Sequence, residues 1–141
     1  MTDKLNPWKR KESWTRRAGK FTVEVSHHTV PPSEFDFDEG VHRWTVYAYI
    51  YPAHRLFDRF EGESLYQDVA AGLPLHRGCS HVRITRNEAG EICSYKVGAD
   101  YHHLYDERFT HYQNQEDAYE VFADADRLFA HLEDCKESVS E

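Results

Sequence analysis

Apolar and polar residues alternate most densely over residues 44–52, WTVYAYIYP. On a pleated strand Trp44, Val46, Ala48 and Ile50 share one face, while Thr45, Tyr47, Tyr49 and Tyr51 share the other. The first set suits a core against a helix. The tyrosine row suits either a second packed layer or an exposed aromatic stripe. This segment is expected to be the central strand. Residues 20–26, KFTVEVS, alternate in the same way and predict a half-exposed strand with Phe21, Val23 and Val25 inward. Residues 79–86 and 91–101 are two further β-type runs joined by Asn87, Glu88, Ala89 and Gly90, a hairpin signature with glycine at the positive-φ position.

The period changes over residues 114–134. Ala118, Val121, Phe122, Ala125, Leu128, Phe129 and Leu132 recur at steps of three and four, one continuous helical stripe. Asn114 can cap this helix, and Glu116 and Asp117 suit its first turn. A short helix is expected at 65–71, where Ser64 and Gln67 have capping-box spacing and Gly72 and Pro74 supply a stop. Residues 53–60 read as a turn or short helix. Residues 27–40 form a loop, in which Phe35 and Phe37 should dock against the body because exposed phenylalanine is costly. The element order predicts an α+β fold: a mainly antiparallel, about four-stranded sheet packed by a long C-terminal helix, with one or two short helices.

The 141 residues match one domain. Charge divides it unevenly. Residues 1–20 carry seven of the basic groups and two acidic ones, a local balance of +5 that leaves −13 on the rest. The expected organisation is a basic, Trp-containing arm (1–20), an α+β domain (21–134) and a frayed acidic tail (135–141). In the arm, Trp8, Lys9, Arg10, Lys11, Trp14, Arg16 and Arg17 interleave cations with aromatics. That composition serves a phosphate backbone with stacked bases, or an arm folded back on its own acidic body. Three cysteines without paired spacing suggest free thiols. The short apolar runs exclude a membrane-spanning helix, and with no apolar leader the expected compartment is the cytoplasm.

The densest chemistry lies in GADYHHLYDERFTHY, with Asp100, His102, His103, Asp106 and His111 as candidate ligands for a divalent metal. Asp100 and His102 share a face only in a strand, His102 and Asp106 only in a helix, and no specific metal motif appears. A hydrogen-bonded loop is the competing reading, and no cofactor is required. Asp117, Glu120 and Asp124 lie at successive turns outward on the long helix and can present a negative strip to a basic partner. Tyr47, Tyr49 and Tyr51 are the second candidate contact.

The stretches WTVYAYIYPAHRLF, VGADYHHLYDERFTHY and YEVFADADRLFAHLED together resemble small accessory proteins of tailed bacteriophages and prophages. The similarity spans residues 41–134 and leaves the arm outside it. It implies a cytoplasmic accessory protein that engages a host system, and it carries no assigned site. The leading expectation is a non-enzymatic protein that binds, and thereby inhibits, a host macromolecule, for instance a nucleic-acid-binding protein. The alternatives are a nucleic-acid-associated protein using the arm and a metal-dependent hydrolase with its site at residues 100–111.

Overall fold

The computed structural model describes residues 9–10, 13–35, 38–103 and 105–135. In chain order the strands are β1 (Lys9–Arg10), β2 (Ser13–Arg17), β3 (Phe21–Thr29), β4 (His42–Ile50), β5 (His81–Arg86) and β6 (Ile92–Asp100). The helices are α1 (Asp68–Ala71) and α2 (Tyr119–Asp134), with 3-10 turns at Phe57–Arg59 and Glu107–His111. The strands form one sheet in the order β1-β2-β3-β4-β6-β5, every neighbour antiparallel. The expected α+β class and the central position of β4 are both present. Setting aside the two-residue β1, there are five strands rather than four.

The additional strand is β2, from the segment read as a basic arm. Trp14 faces inward beside Arg16, and it is buried, stacked on Trp44 with ring centroids 5.6 Å apart. Arg16 lays its guanidinium 4.0 Å over the Phe129 ring and pairs with Asp126 on α2 at 3.1 Å. One tryptophan and one long cationic stem therefore supply the inward face a strand needs, which a count of charges conceals. Trp8 and Lys11 lie outside the described residues, as does the tail beyond 135.

Helix α2 covers one face of the sheet with Val121, Phe122, Ala125, Leu128, Phe129 and Leu132, all buried. The inward residues of β3 and β4, from Phe21 to Val25 and from Trp44 to Ile50, meet it. Helix α2 begins at Tyr119 rather than 114. Asn114 still caps the preceding turn, its Oδ1 accepting the Asp117 N–H at 2.8 Å. Helix α1 is a single turn rather than 65–71, because the capping pair is spent elsewhere. Gln67 Nε2 donates to the Ser64 carbonyl at 2.8 Å, while Ser64 Oγ accepts from the Tyr66 N–H at 3.1 Å. Phe35 does not dock: its side chain is 93% exposed. Phe37 lies outside the described residues. The three cysteines are free thiols. No helix among the described residues is long and apolar enough to cross a membrane.

Two side chains finish the sheet margins. Glu63 Oε2 accepts the Ile84 N–H at 2.9 Å on the outer side of β5. His54, buried, joins the segment after β4 to the end of α2, its Nε2–H donating to the Leu132 carbonyl at 2.9 Å and its Nδ1 accepting the Leu56 N–H at 3.0 Å. Burial outweighs the Leu132 bond and lowers the His54 pKa.

Phe122→Ala, which removes a ring packed edge-on against Trp14, is expected to lower stability by about 3 to 5 kcal/mol in denaturant unfolding. A depressed histidine pKa means that the unfolded chain binds the extra proton, so stability is lost as pH falls below about 6.5 toward the folded value. Unfolding followed between neutral and mildly acid pH should show this loss, and His54→Gln should flatten part of it.

Candidate functional site

Past Asp100 the chain leaves the sheet and turns, so neither a strand face nor a helix face gathers the predicted metal ligands. His102 Nε2 bonds the Glu39 carboxylate, which also pairs with Arg43 at 3.4 Å. The hydrogen bond from His102 is the main reason the Glu39 pKa is lowered. His103 Nε2 lies 3.3 Å from Asp100 Oδ1, and His111 Nε2 donates to the Asp38 carbonyl at 2.6 Å. Among the described residues no group of three or more histidine, cysteine or acidic side chains is arranged to hold a metal ion.

Asp106 goes a different way. Only 1% exposed, it meets His76 Nε2 with both oxygens, at 3.0 and 3.1 Å. It also accepts the His103 N–H at 2.9 Å, and Arg77 Nε stands 3.5 Å off. Burial works to raise its pKa, but the His103 N–H, His76 and Arg77 together prevail and the net shift is down. The Asp106 carboxylate, an acceptor only, takes the His76 Nε2–H.

The His76 ring is held in place. It stacks on Tyr101 at 4.4 Å and 14°, with Phe109 edge-on at 5.3 Å. The Tyr101 hydroxyl donates to Asp124 Oδ2 at 2.6 Å, and burial is the first reason its pKa is raised. Among the described residues only Arg77 (φ 56°) and Tyr105 (φ 74°) occupy the left-handed region without being glycine. One follows His76 and the other precedes Asp106. Such conformers cost about 1 to 3 kcal/mol each and persist where the surrounding structure over-determines them. In front of His76 lies a cavity of about 330 Å³, shared with Arg108, Phe109, Glu120, Ala123 and Asp124.

Each carboxylate of the predicted negative strip has an internal partner, and Asp117 lies just before α2. Glu120 takes Arg108 Nε and Nη2 at 3.2 and 3.0 Å and the Tyr112 hydroxyl at 2.8 Å, and these bonds, Arg108 first, lower its pKa. Asp124 pairs with Arg127, and Asp117 accepts the Gln113 N–H at 3.1 Å. Sequence reasoning missed His76, one histidine among ten in a Leu-His-Arg-Gly turn with no motif around it.

The tyrosine row lies on the sheet face opposite α2. Tyr47 sits opposite Gly98, where an added Cβ would come within 2.2 Å of the Val46 carbonyl oxygen and 2.5 Å of the Tyr47 ring, so only glycine fits beneath it. Lys96 Nζ stands 4.2 Å above the Tyr47 ring, and the His81 ring is 5.1 Å away. The Tyr49 and Tyr51 hydroxyls donate to Glu24 and Thr22 at 3.0 and 2.9 Å. Burial first, then Glu24, raises the Tyr49 pKa and keeps its phenol protonated. Of the basic segment, Lys9 and Arg10 form β1 beside this face and Arg17 ends β2 exposed, while Trp14 and Arg16 are turned to the core side.

Asp106→Ala would strand His76 and the His103 N–H, and an expected loss of about 3 to 5 kcal/mol is measurable by denaturant melts. Because the Asp106 pKa is depressed, its contribution is complete above about pH 4 and fades as pH falls through the folded value, a dependence the variant should lack. Compared with known proteins, the chain matches no family model, no curated protein and no solved structure.

Proposed function

We propose that this chain is a non-enzymatic binding protein that meets a host protein across the open face of its sheet, in the cytoplasm, and inhibits it by occupying its surface. The observation that supports this reading is the one-sided packing. Helix α2 lies against β3 and β4 on the Trp44 side, whereas the half-exposed row Tyr47, Tyr49 and Tyr51 has no described helix over it. Tyrosine and arginine are the side chains that protein interfaces favour, and they give much contact area for little ordering entropy. Register places Arg17, Arg83 and Lys96 on this face against Glu24 and Asp100, while Arg43 is held by Glu39. The face is therefore net positive on an acidic body, which favours an acidic patch on the partner. The resemblance to phage accessory proteins is in keeping with a host partner. The acidic strip of α2, tied into internal pairs, becomes the lesser contact.

A second reading, nucleic-acid association, draws on the same positive face together with the basic β1 beside it.

Photocrosslinking from position 47 and, as a control, from position 126 on the far side of α2 separates these readings. Nuclease-resistant protein adducts from 47 but not from 126 are expected, with Lys96→Glu weakening capture about tenfold. Adducts from 126 alone would overturn the proposal. Adducts from 47 that vanish on nuclease treatment would turn it to nucleic acid.

A further inference from the structure

Two cations on the open sheet face have no anion of their own. Arg83 on β5 stands directly opposite Lys96 on β6, a register that brings their Cβ atoms to about 5 Å and sets like charges against each other. The chain carries 25 acidic side chains to 17 basic ones, and Arg16, Arg43, Arg77, Arg108 and Arg127 each have a carboxylate partner. Among the described residues Lys96 and Arg83 have none. The acids of the face are engaged elsewhere: Glu24 accepts the Tyr49 and Ser13 hydroxyls, and Asp100 accepts the His102 N–H.

The two cations are also set in advance. The half-buried Lys96 holds its Nζ 4.2 Å from the Tyr47 ring centroid and 5.6 Å from that of Tyr49, so pairing it costs little further ordering. Arg83 is exposed and spends Nη1 on the Val82 carbonyl at 3.1 Å, leaving Nε and Nη2 to donate. Beside them the His81 ring packs 5.1 Å from Tyr47, with Nε2 buried and unbonded among the described residues. Burial first, then Lys96 and Arg83, lowers the His81 pKa, and Glu63 acts the other way without prevailing.

This arrangement defines what fits. A phosphate chain needs a file of cations, but Arg17 lies three strands away on this face, with Glu24 on an intervening strand. A single carboxylate matches one ammonium and one guanidinium. Resting on the reading of this face as a protein interface, we propose that Lys96 and Arg83 together seat one aspartate or glutamate side chain of the bound partner as its polar anchor. Such a carboxylate offsets two of the three influences that lower the His81 pKa, so His81 takes up a proton more readily in the complex.

The test follows the histidine signals of ¹⁵N-histidine-labelled full-length protein through a pH titration at low ionic strength, alone and with hexaglutamate, hexaglutamine or hexathymidylate as probes. Hexaglutamate should bind with a Kd of about 1 mM or tighter and raise the His81 pKa while leaving that of His54 where it was. Lys96→Gln and Arg83→Gln should each weaken this binding about twofold to fivefold, without loss of stability in melts, because each removes one of two facing like charges. The inference is overturned if hexaglutamate leaves His81 unmoved, if hexaglutamine or hexathymidylate raises its pKa as much, or if both variants bind like the parent. Adducts from position 47 that persist beside such a result leave the sheet-face reading standing, whereas their absence overturns both.

Discussion

Trp44 is the side chain on which both layers and the start of the His76 region depend. Its ring touches Trp14 of β2, His27 of β3 and Phe122 of α2. Its indole N–H donates to the Tyr112 carbonyl at 2.9 Å, and its own carbonyl accepts the Tyr101 N–H at 3.0 Å. A large ring with a polar tip can fill a core only where that tip finds a partner. Here the partner is the segment that runs from the end of β6 into α2. The packing of the sheet and the path of the chain through residues 101–112 are thus solved together, and Tyr101, the platform beneath His76, is placed by a bond to Trp44.

What the sequence disclosed follows the range of the signal. Alternation over 44–50 and the step of three and four over 118–132 are short-range patterns, and both elements appear where those patterns stand. β2 was hidden because only Trp14 on its inward face is apolar and Arg16 covers Phe129 with a charged side chain. The helix expected at 65 was shortened because Ser64 and Gln67 bond within their own turn. At β2 the deciding contact lies 110 residues away, from Arg16 to Asp126, whereas at 64–67 local side-chain bonds compete with the helix.

The candidate site shows the same limit more sharply. Asp106 stood out as part of a histidine-rich stretch, Glu120 and Asp124 as part of a helix face, and His76 as nothing at all. The fold joins them across 30 residues between His76 and Asp106 and 23 between Tyr101 and Asp124. The left-handed backbone at Arg77 and Tyr105 has no sequence signature either, since the residues that ordinarily mark it are glycine and asparagine. Left-handed backbone beside both members of the hydrogen-bonded His76–Asp106 pair indicates that the pair's geometry is held against local preference.

The bond from the Ile84 N–H to Glu63 bears on how this protein keeps company with itself. β5 ends the sheet, and a terminal strand offers its unpaired backbone to any other strand it meets. A carboxylate seated on one of those donors occupies a bond that a second copy would need, and it brings a charge to the place where that copy would dock. Fibre-like growth from the β5 edge is therefore opposed by one borrowed acceptor.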